Sequence, residues 1–486
     1  MNTRKLLSAL LAMLLLASML FSVVACGNNT EPPQTPVATD APDEGSQVPE
    51  TEEETKYDPE IAVSNYDCDF NVVVGGTFDT KYLFVEEGLG DAMSDSVYER
   101  QVKIKDHLGV EFTHQNGGGW LEYASAINRV VLSGGDDYQM VMTHVYQGVT
   151  DLITTNSLYN MEELPSVNLN APWWHSDLME EIKINDQYLL GYNDFCLSHV
   201  NCITFNKKIA EDYRLENPYD LVRNKEWTLE KFVSMASTVS SNTGDAAWGP
   251  EDTFGLTGWG WVPLIDFVTS SNLKIVDKDA DGNFYIAYED HTEKVLDLID
   301  TVTEMYNADW SWMWKSVHDA ADVVDITTGR ALFYFVASPN LVSLKGEDVD
   351  FGILPYPLYD KSQENYRTLN WNGLIGVPAS IKNPDMVGDV LELLNYYAEP
   401  VKDAFYENLL GSKVAQSPDD VDMLNIIWDT VVSDVGIITC NSSTAMDNLV
   451  YMLPKMCENG NNNFASYMRA NKRAAQGRLD KLFAGD

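Results

Sequence analysis

From residue 70 onward the chain repeats one pattern three times, an apolar strand-length run followed by an amphipathic helix-length stretch. That alternation restricts the fold more than any other feature of the sequence. Phe70 to Val74 is a continuous apolar run closed by Gly75 and Gly76. A helix is expected from Ser96 to Leu108, with Val97, Ile104 and Leu108 on one face and Gly109 where a left-handed C-terminal cap belongs. Val110 to Thr113 reads as the next strand. Tyr123, Ile127, Val130 and Val131 mark a second helix that ends at Gly134, and Tyr138 to Met142 reads as a third strand. Strands separated by helices predict a mainly parallel sheet covered on both faces. Ligands of such sheets sit beyond the carboxyl ends of the strands, here Gly75 to Phe78, His114 to Trp120 and Thr143 to Tyr146. Thr77, Trp120 and His144 are the candidates there.

The character changes at Tyr188. Tyr188 to Tyr192 and Asn201 to Phe205 are strand-like and flank a polar turn around Asn193 and Asp194, which reads as a first crossing into a second lobe. Two later helices are assigned to that lobe: the stripe Val295, Leu298, Ile299, Val302, Tyr306, and the helix opened by Asn383 and Pro384 that bears Val387, Val390, Leu391 and Leu394.

The N-terminus addresses the compartment. Arg4 and Lys5 precede an apolar run from Leu6 to Val24, which stops at Ala25 before Cys26. This is a secretory signal. The run ends at a small-residue cleavage site without a basic stop-transfer flank, so a spanning helix is not expected. Val23, Val24, Ala25 and Cys26 resemble the lipobox of bacterial lipoproteins, which implies that the Cys26 thiol carries a lipid. From Gly27 to about Glu60 the chain is rich in Pro, Thr and acids and has no aromatic before Tyr57, the composition of a disordered tether.

A formal net charge of −42 argues against nucleic acid and anionic headgroups as partners of the body. Of the cysteines besides Cys26, Cys196 with Cys202 and Cys440 with Cys457 could pair in an oxidising compartment, with Cys68 left over; reduced thiols fit as well. Asp277, Asp279, Asp281 and Gly282 match the opening of a calcium loop, but position 12 is Tyr288 instead of Glu. The competing reading, a hairpin turn between Leu273 to Val276 and Phe284 to Tyr288, is preferred, and no cofactor is expected beyond this possible structural calcium.

The stretch Asn201 to Phe232 reads NCITFNKKIAEDYRLENPYDLVRNKEWTLEKF. It resembles the extracellular solute-binding proteins of ABC importers, in the branch related to maltodextrin-binding protein. GLTGWGW at Gly255 to Trp261, TGRALF at Thr328 to Phe333, DFGILPYP at Asp350 to Pro357 and WNGLIGVP at Trp371 to Pro378 follow in the order expected of that family. The local chemistry is sound: Thr228 suits an N-cap, and Trp227 can staple against Phe232. The resemblance implies an α/β, two-lobed periplasmic-binding-protein-like fold of type II, with three crossing segments near Gly191 to Phe195, Thr327 to Leu332 and Asn370 to Gly376. It implies a lipoprotein signal over 1–25 and a lipidated cysteine plus tether over 26–60. Lobe 1 is then expected over 61–192 and 330–372, and lobe 2 over 195–328 and 375–486.

The implied function is capture of a small solute, a mono- or oligosaccharide, in the interlobe cleft and its delivery to ABC permease subunits. The protein would act as a monomer on the extracytoplasmic face of the bacterial membrane, held there by its lipid alone. With 12 tryptophans and 24 tyrosines, stacking faces for sugar rings are available. Trp120, Trp259, Trp261 and Trp371 lie beside glycines in loops after strand-like or crossing segments, and Asp194 and Asn372 are the polar partners in the crossings. Trp310, Trp312 and Trp314 are read as packing against lobe 2 and left out of the site. The alternatives are a secreted carbohydrate-active enzyme, needing two carboxylates across a glycosidic bond, and the binding subunit of a sensor. No GxSxG, HExxH, CxxC or P-loop pattern occurs.

Overall fold

Cys68–Val74, Val110–Asn116 and Met140–His144 are parallel strands of one sheet, and Gly373–Gly376 joins it antiparallel beside Met140–His144. The computed structural model describes residues 57–75, 83–119, 122–145, 148–193, 199–244, 247–314, 323–344, 349–410 and 417–483. The helix between the first two strands starts at Ala92, earlier than the apolar stripe suggests, because the Asp91 carboxylate accepts the amides of Met93 and Ser94. It ends as expected at Gly109, which takes φ 66° and donates its N–H to Lys105 O.

The second sheet has the order Phe351–Leu354, Asn201–Asn206, Ala331–Ala337, Thr253–Trp259, Ser240–Ser241, with Ser311–Trp314 also paired to Thr253–Trp259. Its central strand, Ala331–Ala337, runs antiparallel to Asn201–Asn206 and parallel to Thr253–Trp259. Beneath it, Trp227 and Phe232 stack edge-on at 5.6 Å and both meet Phe333, while Thr228 caps the helix Leu229–Ala236 through Lys231 N. The expected staple is therefore present.

These pairings revise the lobe boundaries. Residues 330–372 were assigned to lobe 1, yet Ala331–Ala337 and Phe351–Leu354 lie in the second sheet. Thr327 to Leu332 is accordingly no crossing: Asp325 caps a single turn over Ile326–Thr328, Gly329 closes it in the left-handed region, and the chain enters a strand of the same sheet. The apolar run ALFYFVA is mostly buried there, with a strand on either side of it in the second sheet.

The chain moves from the first sheet to the second between His144 and Asn201, and back between Leu354 and Gly373. The helix Pro384–Tyr396, assigned from sequence to lobe 2, belongs with the first sheet's layer. Its Asp389 accepts from Tyr66 Oη at 2.7 Å, and its Glu392 accepts from the indoles of Trp173 and Trp174 and from Asn168 N. Glu399–Leu410 then packs on Ala92–Leu108, whereas Pro418–Asp429 packs on Phe351–Leu354, where the buried Asp420 accepts from Tyr219 Oη and Ile353 N. These two helices, consecutive among the described elements, thus pack on different layers. Cys202, Cys440 and Cys457 are free buried thiols, so neither cysteine pair considered from sequence is bonded.

Candidate functional site

The passages between the sheets are built from hydrogen-bonded side chains rather than from apolar packing alone. Asn372 is fully buried; its Nδ2 donates to Tyr192 Oη at 2.7 Å, its Oδ1 accepts His199 N, and its own amide donates to Asn370 Oδ1 at 2.9 Å. Trp371, 4 % exposed, donates its indole N–H to Asp266 at 3.1 and 3.3 Å, and Asn201 Nδ2 reaches the same carboxylate at 2.8 Å. Both residues were proposed from sequence as ligand contacts. Their polar atoms instead tie the return passage to the helix Val262–Ser270 and to the other passage. Burial pushes the Asp266 carboxyl up to about 7 against the opposing pull of its two donors.

His144 ends its strand at the sheet's carboxyl edge and is 8 % exposed. Its ring lies 6.4 Å from that of His199, edge to face. Burial lowers the two imidazoles to about 3 and about 4, so both are neutral at physiological pH. Sequence gave no signal for His199 or Asp266, because only the fold brings them to the passages.

Trp259 and Trp261 flank the carboxyl end of Thr253–Trp259 and are both half-buried. Trp261 stacks on Tyr451 at 5.2 Å and 27° at the start of Val262–Ser270. The glycines beside them serve packing: a Cβ at Gly258 would meet Phe335 at 2.7 Å, and one at Gly260 would meet Tyr306 at 2.6 Å. Trp312 and Trp314 lie in the strand Ser311–Trp314 against Phe254 and Tyr334, in keeping with their reading as packing residues. Thr77, Trp120, Asp194 and Cys26 lie outside the described residues.

Three further contacts join the layers. Lys278 Nζ donates to Glu180 O at 2.7 Å, and the Glu181 carboxylate accepts Ser433 N at 2.8 Å with Lys274 Nζ at 3.9 Å. Asp277 and Asp279 sit in the hairpin of Val276–Lys278 and Phe284–Ile286. Asp279 accepts the amides of Asp281 and Asn283, Asp277 takes Lys274, and Gly282 supplies φ +83° at the turn. Among the described residues no group of three His, Cys, Asp or Glu is placed to hold a metal, and no helix is long and apolar enough to cross a membrane.

A likeness to solved structures decides the architecture. A sugar transporter protein from Rhizobium etli in an open conformation aligns over 86% of this chain and 100% of its own, with TM-score 0.58 and 12% identity. The chain has the two-lobed, type II periplasmic-binding-protein-like fold. A cyclic alpha-maltosyl-1,6-maltose binding protein from Arthrobacter globiformis aligns over 85% and 99% at TM-score 0.55 and 12% identity. An ABC substrate-binding protein from Listeria monocytogenes in complex with cycloalternan aligns over 86% and 100% at TM-score 0.54 and 10% identity. No family model matches the sequence, and no curated protein matches it. The two sheets described above are the cores of the two lobes.

Proposed function

We propose that this chain captures an uncharged carbohydrate between its lobes and delivers it to the permease of an ABC importer, held at the extracytoplasmic face of the membrane by a lipid on Cys26. The observation that supports this reading best is the two-lobed fold itself. His144 ends a strand of the first sheet with the His199 ring 6.4 Å away, both imidazoles neutral, and the half-buried Trp259 and Trp261 lie at the end of a strand of the second sheet, while solved proteins of this fold include ones bound to or named for sugars. Neutral donors and acceptors on one lobe and aromatic faces on the other suit a polyhydroxylated ring. Thr77, Trp120 and Asp194 are assigned to the same cleft.

The chain is read as a binding protein and not as a hydrolase. The buried carboxylates Asp266, Asp420, Asp434 and Glu392 each accept hydrogen bonds from fixed donors of the fold, which suits structural anchors better than a general acid and its partner. Calorimetric titration with oligosaccharides should give one site per chain, with contraction of the molecule in solution scattering. Steady release of reducing sugar by the pure protein would refute the reading.

A further inference from the structure

Asn193 opens the first passage between the lobes. Gly191 and Ile375 exchange both backbone hydrogen bonds, at 2.8 and 3.0 Å, which adds the segment before the passage to the edge of the first sheet. Two residues on, Asn193 bridges Trp174, and the same antiparallel register carried past Gly191 sets it opposite Gly373, the residue that pairs with His144. Residues opposite one another in antiparallel strands share a face. Asn193 and His144 therefore stand on the same face at the sheet's carboxyl edge, two strand spacings or roughly 10 Å apart, and the residue between them has no side chain.

The Asn193 side chain is 1 % exposed, and neither Oδ1 nor Nδ2 has a hydrogen-bond partner. A buried carboxamide with both ends unpaired is costly, and folds keep such a group only where something else compensates it. The contrast with Asn372 is direct: that neighbouring amide is equally buried and uses both ends.

We propose that the Asn193 carboxamide reads the ligand in the interlobe site, donating through Nδ2 to one hydroxyl and accepting at Oδ1 from the next along a neutral sugar. This rests on the carbohydrate reading above. A carboxamide matches a vicinal diol because it offers one donor edge and one acceptor edge side by side. The imidazoles of His144 and His199, held uncharged by burial, add neutral partners on the same side of the site.

The test compares the full chain with Asn193→Leu, close in volume but apolar, using melting curves without ligand and calorimetric titrations with maltose, maltotriose, mannobiose, glutamate and arginine. Removing an unpaired buried amide should leave the ligand-free melting temperature equal or higher, while affinity for the sugar that binds the wild type falls roughly 5- to 150-fold. Unchanged affinity, or a ligand-free variant that melts below the wild type, overturns the proposal, the latter because it would mean the amide holds the fold together. Binding of glutamate or arginine instead of a sugar refutes the carbohydrate reading alone, and Asn193 is then judged by loss of that ligand. Should the wild type take none of these probes, the ligand-free melting temperatures decide.

Discussion

Replacing Asp266 by asparagine removes a single titrating group from the lobe contact made by Trp371 and Asn201, and its effect on stability has a calculable pH dependence. Burial raises the carboxyl from 3.8 to about 7 in the folded protein. The folded state therefore holds a proton that the unfolded chain releases. The contribution of Asp266 to stability is fully present below the unfolded value and is lost as pH rises through the folded one. At 1.36 kcal/mol per pH unit the full swing is about 4 kcal/mol, of which about 3 kcal/mol falls between about pH 5 and pH 8. That window lies clear of the isoelectric pH of ≈ 4.3. Asparagine does not titrate, so the difference in unfolding free energy between wild type and Asp266→Asn cancels the other carboxylates. Urea unfolding across the window should show the wild type losing about 3 kcal/mol relative to the variant as pH rises. A difference independent of pH would show that Asp266 is ionised in the folded state and that the reasoning from burial is wrong.

Glu392→Ala leaves the indoles of Trp173 and Trp174 and the amide of Asn168 without their acceptor, so urea unfolding should register a loss of about 3 kcal/mol or more. Trp261→Ala should weaken sugar binding by about 1 to 3 kcal/mol, by analogy with aromatic stacking on other flat ligand faces, with little change in the far-ultraviolet spectrum. Undiminished affinity would remove Trp261 from the site. Cys26→Ser should abolish metabolic labelling with palmitate; a labelled variant would refute the lipid assignment. Under the hairpin assignment of Asp277, Asp279 and Asp281, millimolar calcium leaves the melting temperature where a chelator leaves it, and a rise with calcium would assign a cation there.

The first sheet was legible because its strands and helices follow one another locally, with Gly109 and Gly134 closing two turns in the left-handed region. The Trp227 and Phe232 staple was legible for the same reason, being a contact within one turn of helix. The placement of Ala331–Ala337 was not. An apolar strand fits either sheet by pattern, and only pairing with Asn201–Asn206, far away in the sequence, assigns it. The helix Pro384–Tyr396 failed in the same way, since its partners Tyr66, Trp173 and Trp174 are remote. Trp371 and Asn372 looked like ligand contacts because both lie in a crossing segment, close to Gly373. Their polar atoms prove to be engaged by Asp266, Tyr192 and His199, none of which periodicity could have brought near them. Asn193 lay in the polar turn that marked the first passage, but its importance comes from unpaired atoms, a property no sequence pattern records.

Interlobe capture of a neutral carbohydrate can be checked in one experiment, a thermal-shift screen of the protein against mono- and oligosaccharides, amino acids, peptides and polyamines. Binding to the folded state alone raises the melting temperature in step with ligand concentration above its dissociation constant. At least one uncharged sugar should produce that concentration-dependent rise, and charged solutes should not. A rise produced by a peptide, an amino acid or a polyamine, with every sugar silent, would rule out carbohydrate capture.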